Sequence, residues 1–203
     1  MAPTKAINRA PSLRDRHKNQ TAQALRAAAL KLFATQGYDA TTTEEIAEKA
    51  GVSARTFFRY FPTKESLLFF GEHDWIQSFA EELPRQPKSL SDLDALCATI
   101  TSNTPGLVRR RQGLLLFVRS VASSRTLRGL DHDHQQENTR VLAQAIATRR
   151  GRRTPDEGCT LLAAVALMAY RRALDIWLAG PPSADLATVI TKEFKLLSQQ
   201  LTS

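Results

Sequence analysis

The sequence predicts an all-α protein, with an N-terminal three-helix bundle followed by a larger helical domain. Apolar residues recur at helical spacing in successive segments, and no stretch sustains the alternation of a half-buried strand. Glycines, prolines and capping residues separate these segments at intervals that suit short and medium helices. Hydrophobic residues make up 42% of the chain and charged residues 24%, a balance typical of a globular protein.

Positive charge is concentrated in the first third of the chain. Residues 1 to 64 hold 11 lysines and arginines against 5 acidic residues, whereas residues 65 to 203 hold 17 against 15. A small basic module attached to a near-neutral body is typical of proteins that bind a polyanion. Charge alone is equally compatible with an ordinary solvated surface.

The first 19 residues are polar, and they include two prolines and five basic side chains without a hydrophobic period. This composition predicts a flexible arm. One interpretation is that the arm adds phosphate or minor-groove contacts to a bound nucleic acid. The other interpretation is a disordered tail that has no role.

Capping residues and glycines delimit the first helices. The first helix is expected from Thr21 to Gly37, because glycine accepts the left-handed conformation of a helix C-cap. The second begins near Thr42, whose hydroxyl and the Glu45 carboxylate have capping-box spacing. The apolar face of the first helix consists of Leu25, Ala28, Ala29, Leu32 and Phe33.

The later helix boundaries follow from further caps and prolines. Ser53 can cap a third helix over residues 54–61, which Pro62 stops. Thr63 can cap a fourth helix that starts at Lys64. After a proline-containing loop, helices are expected over about 90–102, 105–124, 126–150, 155–179 and 184–201.

The segment from Thr42 to Phe61, TTEEIAEKAGVSARTFFRYF, is the most informative part of the sequence. It predicts two short helices joined by a tight turn that contains glycine, which is the helix-turn-helix arrangement. In this arrangement the first helix braces across the DNA backbone, and the second presents its first residues to base edges in the major groove. The segment therefore predicts binding to double-stranded DNA.

Residues His17 to Leu68 resemble the DNA-binding module of the TetR family. The resemblance rests on LFATQGYDATT and then IAEKAGVSARTFFRYFPTKESLL, whose FFRYF variant recurs in the family. It implies a basic arm over residues 1–19, a helix-turn-helix DNA-binding domain over 20–66, and a helical ligand-binding and dimerisation domain over 67–203. Such a protein is a cytoplasmic, nucleoid-associated bacterial regulator, usually a homodimeric repressor that a small molecule releases from a near-palindromic operator.

The resemblance assigns DNA contacts to positions in and around the two helices. Arg55 resembles a residue that reads a guanine edge with its guanidinium fork, and a phosphate contact is the alternative. Phe58 stands where many relatives have tyrosine, so it can only pack against sugar or a thymine methyl, and Arg59 is a candidate to supply the missing charge. The other expected DNA-binding residues, most at phosphate-contacting positions, are Thr42, Thr43, Ser53, Thr56, Tyr60 and Lys64.

The resemblance also implies a small-molecule pocket in the helical domain. Arg119 lies in an apolar segment and could pair with an acidic ligand group or form a surface salt bridge. Five aromatic side chains are candidates to line the pocket, although ordinary core is the favoured interpretation for any single one: Trp75, Phe79, Phe117, Tyr170 and Trp177.

A homodimer through the last two helices is implied as well. Residues 161–170 are apolar nearly all round, so this helix needs cover on two sides, one of which a partner chain could supply. The apolar stripe of the last helix consists of Leu186, Val189, Ile190, Phe194, Leu197 and Leu201.

Two further patterns leave alternatives open. The DHDH run at 131–134 is either a metal site or, more simply, a polar loop or helix start. The stretch RSVASSRTLRGLDHDHQQE loosely resembles actinobacterial-type TetR regulators that sense acyl-CoA, which favours an acyl-CoA-like or hydrophobic effector. Residues 109–111, all arginine, could then bind a CoA phosphate or form an exposed basic turn.

Other classes of protein fit less well. Cys97 and Cys159 lie far apart, which argues against a disulfide framework or a zinc site and fits a reduced cytoplasm. No signal peptide is evident, and the longest apolar run is too short to span a membrane. No nucleophile–base pair, phosphate loop or metal cluster stands out, so neither an enzyme nor a cofactor is expected. A ligand-independent DNA architectural protein is the remaining alternative.

Overall fold

The computed structural model describes residues 13–69 and 72–202, and all regular structure within these ranges is helical, which confirms the predicted fold class. The chain divides into two compact units, Met1–Phe70 and Gly71–Ser203. Within the described ranges, no helix combines the length and the apolar character that crossing a membrane requires.

The first unit contains, within its described residues, three α-helices and one 3₁₀ turn. They are α1 (Leu13–Gln36), α2 (Thr43–Lys49), α3 (Ala54–Tyr60) and the turn Glu65–Leu67. Helix α2 packs against both α1 and α3. The core that joins them consists of side chains no more than 1% exposed, among them Leu25, Phe33, Ile46, Phe57 and Leu67.

Helix α1 extends further toward the N-terminus than expected. It begins at Leu13 rather than Thr21, so residues 13–19 of the predicted flexible arm are helical, while residues 1–12 lie outside the described residues. Residues 17–20 are all exposed, which is why no apolar period marks this turn in the sequence. Because the segment contains no proline and several good helix formers, intrinsic propensity can extend the helix beyond its packed part.

Glycines in the left-handed region form the turns on either side of α2. Gly37 has a φ of 90° and Gly51 a φ of 71°. Residues with a Cβ adopt this region only at a cost in free energy, so glycine permits both chain reversals. The two reversals set the directions in which α2 and α3 leave α1.

The chain after Pro62 does not begin the helix that was predicted at Lys64. It forms the 3₁₀ turn instead, no side chain caps that turn, and α4 starts only at Glu72. Leu67, Leu68 and Phe69 are all buried. Three consecutive buried side chains do not fit one face of an amphipathic helix, and this explains the difference.

The second unit is a bundle in which α9 packs against α5, α8 and α10. Its largest fully buried side chain is Trp177 on α9. The helices of this unit, with a 3₁₀ turn Leu83–Arg85 after the first, are α4 (Glu72–Glu82), α5 (Asp92–Ser102), α6 (Thr104–Val108), α7 (Arg111–Ser123), α8 (Arg125–Arg149), α9 (Glu157–Ala179) and α10 (Leu186–Thr202).

The single helix predicted over residues 105–124 is two helices, α6 and α7. The break falls at Arg109 and Arg110, directly before a long-range anchor. Arg111 Nη2 donates to the carbonyls of Trp177, Leu178 and Gly180 at 3.1, 3.2 and 2.7 Å. A guanidinium that caps the C-terminus of α9 fixes the start of α7, and no local pattern in the sequence predicts such a contact.

A buried arginine ties the end of α8 to the loop before α5. The Arg149 side chain is 3% exposed, and its Nε lies 3.2 Å from Asp92 Oδ1. Its Nη atoms donate to the carbonyls of Gln86, Pro87 and Leu90 at 2.8–2.9 Å. A buried charge needs partners for its donors, and these contacts supply them.

Candidate functional site

A capping box fixes the start of α2. The Thr42 N–H donates to Glu45 Oε2 at 2.8 Å, and the Glu45 N–H donates back to Thr42 Oγ1 at 3.2 Å. Hydrogen bonds from the Thr42 backbone and hydroxyl, and from Gln36, hold the pKa of Glu45 below its ordinary value. The predicted box is confirmed, and both donors of Thr42 are engaged within it.

Helix α3 is capped and oriented from its own first turn. Ser53 Oγ accepts from the Thr56 N–H at 3.2 Å and donates to Thr56 Oγ1 at 3.0 Å, so the predicted Ser53 cap is confirmed. On the inner face, Phe57 is fully buried and packs against Phe61, their ring centroids 6.2 Å apart. These contacts fix which face of α3 points outward.

The outward face of α3 carries two arginines and a phenylalanine. Arg55 and Arg59 are exposed, and the Phe58 ring is 52% exposed although it makes an edge contact with Phe57. The Arg59 guanidinium lies 5.3 Å from the ring centroid of the half-buried Tyr60.

Lys64 is engaged inside the first unit. Its Nζ donates to the carbonyls of Tyr38 and Thr41 at 2.8 and 3.0 Å and lies 4.1 Å from the Tyr38 ring centroid. The Tyr38 hydroxyl donates to Glu65. Burial, followed by that hydrogen bond, raises the pKa of Tyr38 far above its ordinary value. Lys64 thus holds the turn that leads from α1 to the capping box.

The remaining predicted DNA-binding residue of this unit, Thr43, is half-buried at the first position of α2. Its hydroxyl donates to Glu44 Oε2 at 2.9 Å. The hydroxyls of residues 42, 43 and 56 therefore all have partners within the protein. Any phosphate contact by these side chains has to exchange or share those hydrogen bonds.

The second unit contains a cavity of about 550 Å³ among α4, α7, α8 and α9. This volume lies within the range of small-molecule sites. Three of the six predicted ligand-binding residues line it, namely Trp75, Phe117 and Tyr170. The Trp75 and Tyr170 rings are stacked, with centroids 5.3 Å apart and planes inclined by 16°.

The other three predicted ligand-binding residues lie outside the lining. Phe79 is 1% exposed and packs behind Trp75, their centroids 5.6 Å apart. Trp177 is core, and its Nε1 donates to the carbonyl of Ala184 at 2.9 Å. Arg119 is exposed on α7 and is absent from the cavity wall.

One wall of the cavity is polar, and sequence reasoning did not find it. The Asp131 carboxylate accepts from Gln135 at 2.7 Å and from Arg171 at 2.8 Å. Asp131 and Gln135 are four residues apart on α8, a spacing that could have indicated a shared face. The other polar lining residues are Arg128, His132, Asn138 and Asp175.

The DHDH run is helical, and its first two residues, Asp131 and His132, form part of this wall. Residues 131–134 lie within α8, where consecutive side chains face different directions. Among the described residues, no group of three or more histidine, cysteine, aspartate or glutamate side chains is arranged to hold a metal ion. Of the nearby arginine run, Arg109 and Arg110 are exposed, whereas Arg111 caps α9.

Comparison with family models gives two matches. Residues 25–69 match the model of bacterial regulatory proteins of the tetR family, and residues 95–202 match the MftR C-terminal domain. The first match contains α2 and α3. The second, which covers about half of the chain, contains most of the cavity wall.

Curated relatives are transcription regulators. The chain is 30% identical over 154 residues to the HTH-type transcriptional regulator HbdR of Aromatoleum sp. (strain CIB), covering 74% of this chain and 67% of that protein. It is 37% identical over 93 residues to the HTH-type transcriptional regulator TcmR of Streptomyces glaucescens, covering 46% of this chain and 41% of that protein.

Solved structures share the fold. Thermus thermophilus FadR, a TetR family repressor in complex with lauroyl-CoA, superposes with a TM-score of 0.54 at 24% identity, covering 87% of this chain and 93% of that one. A TetR regulator from Rhodococcus sp. RHA1 gives a TM-score of 0.55 at 21% identity, covering 89% and 97%.

Proposed function

Because the chain belongs to the TetR family of transcription regulators, we propose that it is a sequence-specific repressor that a small molecule releases from a near-palindromic operator. The observation that carries this proposal is the outward face of α3. There, Arg55, Phe58 and Arg59 are exposed on a helix that the buried Phe57 holds in place. On this proposal, residues 20–66 bind DNA and residues 67–203 bind ligand and dimerise.

Each exposed residue of α3 has a distinct role in the proposed complex. Arg55 donates to the O6 and N7 atoms of a guanine in the major groove. Phe58 packs against sugar or a thymine methyl, because it has no hydroxyl to offer a phosphate. Arg59, which is exposed on the same face, supplies the phosphate contact that Phe58 cannot make.

Lys64 has a positioning role in place of the expected phosphate contact. Two of its three donors are bound to Tyr38 and Thr41. By holding that turn, Lys64 sets the position of Thr42, which caps α2. The remaining expected DNA-binding residues contact phosphates, and each lies close to the start or end of a helix: Thr43, Ser53, Thr56 and Tyr60.

The dimer forms through α9 and α10. On α9, Leu161 is 66% exposed and Met168 is 70% exposed, and Ile176 continues the same face. Leu196 is the corresponding exposed residue on α10. Burying these side chains against a second copy removes apolar surface from water. The two α3 helices then lie one DNA turn apart, about 34–36 Å, as in other helix-turn-helix dimers.

The effector binds in the cavity of the second unit. A largely apolar lining supports the hydrophobic or acyl-CoA-like class, and the lauroyl-CoA bound to the Thermus protein is a member of that class. Helix α4 carries Trp75 and is the first helix after the DNA-binding unit in the sequence. If a ligand binds more tightly when α4 occupies one of two positions, it shifts the population of the regulator toward the state in which α4 occupies that position.

Electrophoretic mobility shifts with fragments of the source genome test the proposal. Wild-type protein is expected to retain a subset of fragments and to release them with a hydrophobic effector. Arg55→Ala should reduce the preference for those fragments, whereas Arg119→Ala, a matched loss of one exposed cation on the other unit, should not. Equal retention of all fragments would favour the architectural alternative and contradict the proposal.

A further inference from the structure

The apolar part of the cavity wall contains three aromatic rings. Trp75 and Tyr170 lie nearly parallel, and Phe117 on α7 lines the same cavity. Aromatic rings stack favourably in offset or edge-on arrangements, so aromatic residues on a cavity wall favour an aromatic ligand. Aliphatic residues from α7 and α9 complete this part of the lining, among them Leu114, Leu167 and Leu174.

An indole donor on this wall lacks a partner. The Trp75 Nε1 atom is buried, and no protein group among the described residues accepts a hydrogen bond from it. A buried donor without an acceptor raises the free energy of the state that contains it. This atom is closed off from solvent, so an acceptor on a ligand reaches it only when the indole ring turns toward the cavity, and the hydrogen bond then recovers that free energy.

Both arginines on the polar wall already have partners within the protein. The lining contains two arginines and two aspartates. The Arg171 guanidinium is paired with Asp131, and Arg128 Nη1 donates to the carbonyl of Ala122 at 2.7 Å. An anionic ligand would have to compete with the Asp131 carboxylate, whose side chain is only 13% exposed. Breaking such a pair leaves a charge poorly solvated, so the part of the wall formed by Arg171 and Asp131 favours a neutral ligand.

We propose that the effector is an uncharged, planar aromatic molecule that stacks in this cavity and presents a carbonyl-type acceptor to the Trp75 indole N–H. The inference rests on the proposed function, since it specifies the ligand of the same regulatory site. It keeps the hydrophobic alternative named above and excludes the acyl-CoA-like one, because it requires ring planarity, one acceptor and no net charge.

Three probes with one tricyclic skeleton separate these requirements. 9-Fluorenone carries a carbonyl, fluorene replaces it with a methylene, and 9-fluorenone-4-carboxylate adds a negative charge. Equilibrium dialysis against the purified full chain gives the three affinities without relying on tryptophan fluorescence. We expect fluorenone to bind about tenfold more tightly than fluorene, equivalent to about 1.4 kcal/mol, and also more tightly than the carboxylate.

Two tryptophan variants assign the difference to the indole donor. Trp75→Phe keeps an aromatic ring and removes the N–H, so it should abolish the preference for fluorenone over fluorene. Trp177→Phe is the matched control, because it removes an indole N–H that is already bound to Ala184 outside the cavity lining. The control should keep the tenfold preference, and circular dichroism establishes that both variants are folded.

The outcomes separate this inference from the proposed function. Absence of fluorenone binding, equal binding of fluorenone and fluorene, or tighter binding of the carboxylate would each overturn the inference. So would a preference that survives in Trp75→Phe. The same preparation is tested for retention of genomic fragments. Retention with any of these results leaves the regulator intact and refutes only the ligand class, whereas loss of retention refutes the regulator itself.

Discussion

Replacing Lys64 with methionine should destabilise the DNA-binding unit in the absence of DNA. The variant keeps an apolar stem but loses two hydrogen bonds of 2.8 and 3.0 Å and a ring contact of 4.1 Å. Hydrogen bonds to charged groups contribute about 1.5–3 kcal/mol each, and a cation–π contact about 0.5–1 kcal/mol. The low ends of these ranges add up to about 3.5 kcal/mol, and because the ammonium is only partly buried, solvent screening reduces the expected loss to about 2–3 kcal/mol.

Hydrogen exchange is the appropriate assay for this loss. Both tryptophans, Trp75 and Trp177, lie in the second unit, so their fluorescence does not report directly on unfolding of the first. Amides of α1 and α2 that exchange through opening of the first unit should exchange roughly 30- to 150-fold faster in Lys64→Met. Lys49→Met, the same change at an exposed position of α2, is the control and should leave exchange nearly unchanged.

The salt dependence of DNA binding decides between the two roles of Lys64. If Lys64 has only a positioning role, its replacement weakens binding by lowering the fraction of molecules whose DNA-binding unit is correctly folded. The slope of log affinity against log salt concentration should then stay the same. A direct phosphate contact predicts a slope smaller by about one ion. Unchanged amide exchange together with a reduced slope would refute the positioning role and restore the phosphate contact.

Four further predictions concern stability and assembly. Arg149→Met should lower the stability of the second unit by about 3–5 kcal/mol in denaturant, because it orphans the buried partners of Arg149, and an unchanged midpoint would contradict this. Thr42→Ala should lower α2 stability by about 1 kcal/mol by amide exchange. Hydrogen bonds lower the pKa of Glu45 in the folded protein, so its ionised carboxylate stabilises α2 at any pH above the pKa of the unfolded state. This stabilisation should be lost as the pH falls through the folded-state pKa, and the α2 amides should then exchange faster. Exchange protection of α2 that does not change with pH would contradict this prediction. Met168→Asp places a charge on the proposed dimer face of α9 and should therefore give monomers in light scattering. Val108→Asp is the control, because it places the same charge at an exposed position of α6 outside that face, and it should leave the dimer intact.

Local rules were sufficient for the helix-turn-helix segment. The Thr42–Glu45 box and the Ser53 cap involve groups three residues apart, so their spacing in the sequence already determines the contact. The glycine turns and the stop at Pro62 are equally local. As a result, the expected ends of α2 and α3 lie within about one residue of the observed ones.

Long-range contacts account for what the sequence could not predict. The engagement of Lys64 depends on backbone carbonyls more than twenty residues away, and that of Arg111 on the far end of α9. Every residue has the same main-chain carbonyl, so the side-chain pattern of a sequence does not reveal which carbonyls accept these hydrogen bonds. The polar cavity wall was missed for a related reason, since Asp131 and Arg171 meet only when α8 and α9 pack together.

The division of aromatic residues between cavity and core has the same origin. The sequence does not distinguish Trp75 from Trp177, since both occur among apolar residues of a helix. In the structure, Trp75 lines the cavity, whereas Trp177 lies in the core in contact with Ala184 and Arg111. Whether a large side chain borders empty space depends on how well its neighbours fill the volume around it. Periodicity identifies the buried face of a helix but does not reveal gaps in the packing.

Protection of guanine N7 from methylation by dimethyl sulfate tests the base-reading role of α3 most directly, because N7 is the major-groove atom that Arg55 is proposed to bind. Wild-type protein on a retained fragment should protect guanines in two half-sites about 10–10.5 base pairs apart. In Arg55→Ala, one guanine in each half-site should become reactive while the fragment stays bound at low salt. An identical protection pattern in wild type and Arg55→Ala, or no N7 protection by bound wild type, would contradict the account.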